Sequence, residues 1–246
     1  MLSLFKKNKT PLIALFNNSF IDIHSHLLPA IDDGSKSFEQ SLALIKRMQQ
    51  FGINNFVATP HIMDGVWNNT SASINQKLYE LKDYLSKHSA HPLQLRAAAE
   101  YLLDSNFEKL LETEKLLCIK DDYILVELSY LNPPINLKEI LFKIQIAGYK
   151  PILAHPERYL FYHTNFSEYL KLKEAGCSFQ LNLLSLSTYY GKGVQNIAKK
   201  LLKDGLVDFV GTDTHSNRHL DFLESINDQK LVKLVQPVIE NNSLLL

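Results

Sequence analysis

The chain has 246 residues, 46% of them hydrophobic, and its 26 lysines and arginines balance its 26 aspartates and glutamates. This length and apolar content suit one large α/β domain with a substantial core. The neutral balance argues against a nucleic-acid-binding protein, which usually carries a broad basic surface. No apolar run is long enough to insert into a membrane.

Residues 1–19 are expected to form an N-terminal extension, and residues 20–246 a single barrel domain. Near the start, three lysines precede an apolar stretch over 11–16. That stretch is too short for the core of a signal peptide, and no small-residue cleavage site follows it. The expected location is therefore the cytoplasm.

From residue 20 onward, short aliphatic runs alternate with amphipathic segments, which predicts βα units and a parallel sheet. Seven strands are expected, at 20–21, 55–59, 93–100, 123–126, 151–154, 178–182 and 207–212. The first helix is expected between the N-cap Ser37 and Gly52. The other helices are expected at 73–87, 106–113, 137–147, 166–175, 194–203 and 228–239, with a proline-containing loop at 131–134.

Side chains of the kind that bind metal ions follow the ends of six of these strands. They are His24 and His26, His61, Glu100, Glu127, His155, and Asp213 with His215. A barrel of parallel strands gathers its strand ends on one face, so these scattered residues are expected to form one cluster. His24 and His26 should point to the same side, since side chains repeat every two residues along a strand, and the same is expected of Asp213 and His215.

Each ligand candidate also has a purely structural interpretation. His24 or His26 could be a buried histidine with satisfied hydrogen bonds. Glu100 and Glu127 are harder to explain in this way, because an unpaired charge in a core strand is costly and requires a metal or an arginine. Imidazole and carboxylate ligands suit zinc, iron and manganese alike.

Charge counting favours more than one metal ion. Asp33, Glu100, Glu127 and Asp213 would bring roughly four negative charges, and three divalent cations would bring about six positive ones. The remaining positive charge favours a phosphate dianion as the substrate group. Multi-metal phosphoesterases use their ions in this way, to clamp the ester and to generate hydroxide.

Other reactive residues are expected to be peripheral. Cys118 and Cys177 match no zinc-binding spacing and are expected to be buried free thiols. His88 and His91 are expected in surface loops, whereas His163 and His219 are candidates for the rim of a pocket. Tyr189 and Tyr190 could line such a pocket or pack in the core.

The motifs of the chain resemble those of a known superfamily. They are Asp22-Ile23-His24-Ser25-His26, Asp32-Asp33-Gly34, Thr59-Pro60-His61, Glu100-Tyr101, Glu127-Leu128-Ser129, His155-Pro156-Glu157-Arg158-Tyr159 and Asp213-Thr214-His215. They resemble the PHP (polymerase and histidinol phosphatase) superfamily. Within it, the chain is similar to the CpsB/YwqE-type protein-tyrosine phosphatases of bacterial capsular polysaccharide systems. The similarity extends from Ile21 to the C-terminus.

The resemblance implies a distorted (β/α)7 TIM-like barrel, the PHP fold, with three divalent metal ions. Manganese is the expected ion, with iron or zinc as alternatives. By analogy, one ion would be held by His24, His26, Glu100 and Asp213. A second would share Glu100 and add Glu127 and His155, and the third would be held by Asp33, His61 and His215.

The resemblance also assigns two arginines to the substrate. Arg158 matches the phosphate-binding arginine of the family, whose guanidinium fork suits an oxyanion. Its alternative role is a surface salt bridge with Glu157. Arg218 aligns loosely with a second family arginine and is a candidate for substrate binding. The segment 188–192 and the extension before the first strand depart from the family pattern.

The function implied is that of a metal-dependent phosphomonoesterase acting on phosphotyrosine in a protein. The expected substrate is a bacterial tyrosine kinase that regulates capsular or exopolysaccharide synthesis, and a homo-oligomer is one option for the assembly. Hydrolysis of histidinol phosphate or another small molecule is the nearest alternative. A catalytically silent metal-binding regulatory module is a further alternative.

Overall fold

The computed structural model describes residues 10–89 and 91–246. Residues 1–9, which contain all three lysines of the expected N-terminal extension, lie outside the described residues, and the boundary at residue 20 stays a prediction. The described part of that segment packs on the rest of the chain. Leu12 is buried, and its N–H donates to the Ile226 carbonyl at 2.7 Å.

The described residues contain nine β-strands, all paired in parallel. They are β1 Ile21–Asp22, β2 Asn55–Ala58, β3 His61–Ile62, β4 Gln94–Ala97, β5 Glu100–Leu102, β6 Tyr123–Glu127, β7 Lys150–Ala154, β8 Ser178–Asn182 and β9 Phe209–Gly211. One sheet has the order β1-β2-β4, and the other has the order β3-β5-β6-β7-β8-β9. The expected α/β class with parallel strands is confirmed.

Nine strands are described where seven were expected. A single strand over 93–100 was expected, but it is divided, because β4 ends at Ala97 and β5 begins at Glu100. The strand expected at 55–59 corresponds to β2 and is followed by the further short strand β3, beyond Pro60, which has no N–H to donate to a ladder. The Pro60 carbonyl still accepts from the Glu100 N–H at 3.1 Å, so the two divided runs, β2 with β3 and β4 with β5, stay side by side.

Eight α-helices lie between and after the strands in the described chain. They are α1 Phe38–Gln50, α2 Ser71–His88, α3 Ser105–Thr113, α4 Leu137–Ile146, α5 Ser167–Glu174, α6 Lys192–Lys203, α7 Asn217–Ser225 and α8 Gln229–Asn241. Ser37 caps α1 as expected, since its side chain accepts from the Gln40 N–H. Over the described residues, no helix combines the length and the hydropathy needed to cross a bilayer.

Two expectations about helices were wrong. Helix α7 was missed, because it buries only Leu220 and Leu223 and its N-cap Ser216 makes no capping hydrogen bond, so its sequence signals are weak. His88 was expected in a loop but ends α2, where its ring stacks on Tyr84 one turn earlier.

The first and last strands are linked by side chains as well as by backbone. Asn242 is fully buried, and its amide donates to the carbonyls of Ile21 and Val210 at 2.8 Å each and accepts from the Val210 N–H at 3.0 Å. Beyond the strand ends, Ser25 and Thr214 form an isolated parallel bridge. These contacts bring the segment after β1 next to the segment after β9.

Candidate active site

The expected ligand series lies at or just after the carboxyl ends of β1, β2, β4, β6, β7 and β9. His24 and His26 follow β1, His61 begins β3, Glu100 begins β5 and Glu127 ends β6. His155 follows β7, and Asp213 and His215 follow β9, while Asp33 lies in the loop after β1. The structure brings all nine of these residues into one cluster, in which most of the side chains are buried.

The backbone bends sharply at two members of this cluster. His155 has φ +36° and Asp213 has φ +49°, both in the left-handed region that non-glycine residues seldom adopt. Asp213 and His215 both face the cluster as expected, with Asp213 Oδ1 3.4 Å from His215 Nδ1, but they do so through the turn at Asp213, because β9 ends at Gly211. Such strained positions are concentrated at functional sites.

The two histidines after β1 each present one nitrogen to the cluster and anchor the other. His24 Nδ1 lies 2.7 Å from Gln180 Oε1, and His26 Nδ1 lies 2.7 Å from Asp32 Oδ2. Their Nε2 atoms lie 3.4 and 3.3 Å from Asp213 Oδ1. Anchoring one ring nitrogen fixes the tautomer and orients the other nitrogen, as outer partners do at metal sites.

Two glycines allow these histidines to be packed so closely. A Cβ atom added at Gly34 would lie 2.3 Å from the His26 carbonyl oxygen, and one added at Gly211 would lie 2.6 Å from His24 Cβ. Both positions therefore require a residue without a side chain.

Glu100 lies at the centre of the cluster. Its Oε2 is 3.1 Å from His24 Nε2 and 3.2 Å from His61 Nδ1, and its Oε1 is 3.0 Å from His155 Nε2. Glu127 Oε1 lies 3.0 Å from the same His61 Nδ1. A fully buried carboxylate surrounded by ring nitrogens is suited to bridge two cations.

The ionisation of the two glutamates differs because of their surroundings. Burial raises the pKa of Glu127, and repulsion from Glu100 raises it further. Burial also opposes ionisation of Glu100, but the attraction of His24 and His61 outweighs it and holds the pKa of Glu100 well below its usual range. These carboxylates thus depend on nearby positive charge, which divalent cations would supply.

Several buried ligand atoms have no hydrogen bond among the described residues. They are His61 Nδ1, Glu127 Oε1 and His155 Nδ1. Buried polar atoms are usually paired, and a role in binding an ion is one cause of such an exception. His61 Nδ1 and Glu127 Oε1 face each other at 3.0 Å without hydrogen-bond geometry, so these donors fit a metal ion held between them.

The side chains group somewhat differently from the sets that the resemblance implied. The groups whose ligand atoms lie within 4.8 Å of one another are His26 with Asp33, His61 and His215; His24 with His26 and Asp213; His24 with Glu100 and His155; and His61 with Glu100 and Glu127. His26 therefore joins the set of Asp33, and His61 joins that of Glu127. The assignment of each residue to an ion stays a prediction.

Arg158 lies at the edge of the cluster. Its Nη1 donates to Asp213 Oδ2 at 2.8 Å. The alternative of a surface salt bridge with Glu157 is wrong. Glu157 is fully buried and turns away, where it accepts from the Asn182 N–H at 3.0 Å and from the Ser185 hydroxyl at 2.7 Å.

A cavity of about 450 Å³ opens beside Arg158. Its lining includes six of the nine ligand candidates and an aromatic group of Tyr130, Tyr189 and Tyr190 with His219. The volume suits a small substrate group. His219 thus lies on the pocket as expected, whereas His163 instead contacts the Glu157 carbonyl, with Nε2 at 2.8 Å.

Arg218 lies farther out. It is exposed on α7, with its guanidinium carbon 5.7 Å from the centre of the Tyr189 ring, and it is not among the described residues that line the cavity. Its role in substrate binding stays a prediction.

Three supporting residues were missed as members of the site. Gln180 and Asp32 orient the two histidines after β1, and Asn182 donates to Asp213 Oδ2 at 2.8 Å. Gln180 and Asn182 both lie near the carboxyl end of β8, where they alternate with the apolar Phe179 and Leu181. Polar residues at that position were a usable signal, since the strand end faces the cluster.

Another cavity and a buried cysteine in the described residues lack the side-chain chemistry of this cluster. A larger cavity of about 880 Å³ is lined chiefly by amides and lacks carboxylates. Cys177 is buried, and burial raises the pKa of its thiol to about 12, so it is a poor nucleophile. The chemistry of the side chains, rather than cavity size, identifies the site.

The chain matches the model of one protein family over residues 20–222. That family is described as capsular polysaccharide synthesis, CpsB/CapC. The chain belongs to the CpsB/CapC family. The matched residues include every one of the nine ligand candidates, Arg158 and Arg218.

Two curated CpsB/CapC relatives carry the name of an enzyme. The tyrosine-protein phosphatase YwqE of Bacillus subtilis is 32% identical over 203 residues, covering 82% of this chain and 80% of the relative. The tyrosine-protein phosphatase CpsB of Streptococcus pneumoniae is 31% identical over 204 residues, covering 80% and 83%.

A solved structure within this CpsB/CapC group has the same fold. It comes from the crystal structures of YwqE and CpsB, described as unique metal-dependent tyrosine phosphatases. It superposes with a TM-score of 0.74 at 29% identity, covering 90% of this chain and 94% of the other.

Proposed function

We propose that the chain is a metal-dependent phosphomonoesterase that hydrolyses phosphotyrosine in proteins. The observation that carries this proposal is the buried array of imidazoles and carboxylates centred on Glu100, with the Arg158 guanidinium at its edge. An array of this kind holds cations, and an adjacent guanidinium binds phosphate. The relatives are named tyrosine-protein phosphatases, which supports phosphotyrosine in proteins as the substrate class.

We also infer that the two sheets form the distorted seven-stranded PHP barrel. The divided runs β2 with β3 and β4 with β5 would each count as one barrel strand. The bridge between Ser25 and Thr214, and the Asp213 N–H donating to the His24 carbonyl at 2.7 Å, support closure between the first and last strands.

The donor set fits three divalent ions, with manganese as the expected metal and iron or zinc as alternatives. The ligands would be the nine residues of the cluster: His24, His26, Asp33, His61, Glu100, Glu127, His155, Asp213 and His215. When bound, divalent ions supply Lewis acidity toward phosphoryl oxygens and lower the pKa of a water molecule.

The chain's own residues would bind and orient the phosphoryl group. Arg158 uses one N–H on Asp213, and its remaining N–H groups would donate to phosphoryl oxygens and to the charge that grows on them in the transition state. Asp213 is suited to both tasks, since Oδ1 faces the two histidines and Oδ2 faces Arg158. The aromatic side chains of the cavity would exclude water around the substrate ring.

The natural substrate would be a phosphorylated tyrosine kinase that regulates capsular or exopolysaccharide synthesis, with which the family description agrees. We place this reaction in the cytoplasm, where such a kinase tail would be found. A homo-oligomer is compatible with the proposal.

Side-by-side turnover assays test the function. The metal-loaded protein should hydrolyse a phosphotyrosine peptide with a far higher kcat/KM than histidinol phosphate. Preference for histidinol phosphate would instead support the alternative of a small-molecule phosphatase. Inactivity on both substrates, at full metal occupancy, would support the alternative of a catalytically silent regulatory module.

Substitution of Arg158 tests its place in the site. Arg158→Ala should lower kcat/KM for the peptide by about 10²-fold, the usual effect of removing one donor to a developing oxyanion, and should leave the metal content unchanged. Arg47→Ala, at an arginine that pairs with Asp221 and Glu224 and does not line the cavity, is the control. Equal activity of the two variants would remove Arg158 from the mechanism.

A further inference from the structure

The Arg158 side chain packs against two tyrosine rings beside the cluster. Its guanidinium carbon lies 4.2 Å from the centre of the Tyr190 ring and 5.0 Å from that of Tyr130. Both rings also line the cavity. The arginine is therefore held by aromatic contacts on the side where a substrate would enter, in addition to its ion pair with Asp213.

Tyr190 is itself fixed by the end of β8. The Asn182 amide donates to the Tyr190 hydroxyl at 3.2 Å and to Asp213 Oδ2 at 2.8 Å, so one amide connects the tyrosine with the carboxylate that Arg158 contacts. The side-chain oxygen Oδ1 of Asn182 accepts from the Leu184 N–H at 2.8 Å, which fixes the amide in turn. The ring thus has a defined position before any ligand is present.

We propose that Tyr190, supported by Tyr130, is a positioning residue that holds the Arg158 guanidinium ready for the substrate phosphoryl group. This inference rests on the proposed function for the identity of that group. A free arginine side chain has many rotamers, and ordering it on binding costs free energy. The rings and Asp213 restrict the guanidinium beforehand, so less entropy is lost when phosphate binds.

The role belongs to the face of the ring rather than to the hydroxyl, because the guanidinium lies over the ring.

Three variants separate the ring from the hydroxyl. In metal-loaded Tyr190→Leu, the KM for a phosphotyrosine peptide and the Kd for inorganic phosphate should both rise about tenfold, with kcat changed far less. Tyr190→Phe keeps the ring and should retain most of the phosphate affinity. Tyr79→Leu, at an exposed tyrosine on α2, is the matched control. Calorimetric titration with inorganic phosphate gives the Kd without any turnover.

A double-mutant cycle then asks whether Tyr190 acts through Arg158. In an Arg158→Ala background, Tyr190→Leu should cause almost no further loss of phosphate affinity, because the group that it positions is absent. Equal, additive losses in the two backgrounds would overturn the proposal. A rise in peptide KM with an unchanged Kd for inorganic phosphate would also overturn it, since the ring would then contact the substrate's aromatic group directly.

Metal content and Tm distinguish positioning from a general structural defect. Both should match the wild type in Tyr190→Leu, and a parallel fall in either would contradict the proposal. If the wild type bound phosphate but left phosphotyrosine peptides intact, the proposed function would fail, whereas the phosphate titrations would still decide the role of Tyr190.

Discussion

The two ends of the parallel strands differ in the side chains that they bury and in how fully those side chains are hydrogen-bonded. Toward the amino ends, apolar side chains such as Ile21, Leu125 and Phe209 pack with Leu245, and the fully buried amide of Asn242 has both its oxygen and its nitrogen hydrogen-bonded. At the carboxyl ends, ionisable groups are packed together, two residues have left-handed backbones, and ligand atoms lack hydrogen bonds among the described residues.

Within one set of strands, the amino ends therefore contribute mainly to stability and the carboxyl ends mainly to function. A buried polar group with all its hydrogen bonds made stabilises the fold, whereas incompletely paired carboxylates and imidazoles cost stability unless something else binds them. Natural proteins accept such conflicts mainly at functional sites. The comparison predicts that changes at the carboxyl ends mainly alter metal binding and turnover, while changes at the amino ends mainly alter folding.

The largest effect is expected at the centre of the carboxyl-end cluster. Glu100→Gln should lower kcat/KM by about 10³-fold, because the neutral amide cannot balance two cations. Metal analysis by plasma mass spectrometry should show fewer ions per chain. Glu108→Gln, at a partly exposed glutamate on α3 that pairs with Lys143, is the control and should keep both quantities. Full metal content and full turnover in Glu100→Gln would contradict the claim that the carboxyl-end cluster binds metal ions through Glu100.

A smaller effect, and one of a different kind, is expected at the amino ends. Asn242→Ala removes three buried hydrogen bonds between the first and last strands and should lower the free energy of unfolding by about 3 kcal/mol. Denaturant unfolding of the metal-loaded protein measures this loss, and the folded fraction should keep its turnover. The neighbouring Asn241→Ala, at an exposed position, should change stability by less than about 0.5 kcal/mol. Equal stability of the two variants would contradict the role given to Asn242.

The smallest effect is expected at a residue that supports a ligand without being one. Gln180→Leu leaves His24 Nδ1 without its partner and should weaken metal binding by about 10- to 100-fold. Competition with a coloured chelator measures the change, with the exposed Gln236→Leu as the control. An unchanged affinity would show that the rest of the packing is enough to orient His24.

Much of this arrangement could be predicted from the sequence, because hydrophobic periodicity indicates the strands and helices, and the strand ends indicate where the ligand residues meet. Strand β8 occurs at the expected residues 178–182, and Ser37 caps α1 as expected. The convergence of His24, Glu100, His155 and Asp213 followed from the rule that parallel strands end on one face.

The remaining features depend on contacts that a linear pattern does not contain. The turn at Asp213 has a left-handed backbone that no periodicity marks, and the gap between β4 and β5 lies beside Pro60 of a different segment. The partners of His24 and Arg158 lie far away in the chain, at Gln180 and at Tyr190. Short helix α7 was missed because its burial is slight.

Anomalous diffraction from crystals grown with manganese tests the central claim most directly. The account predicts three anomalous peaks inside the cluster, each in contact with nitrogen or oxygen atoms from His24, His26, Asp33, His61, Glu100, Glu127, His155, Asp213 or His215. A map without peaks there, or with manganese bound only elsewhere on a folded and active protein, would contradict it.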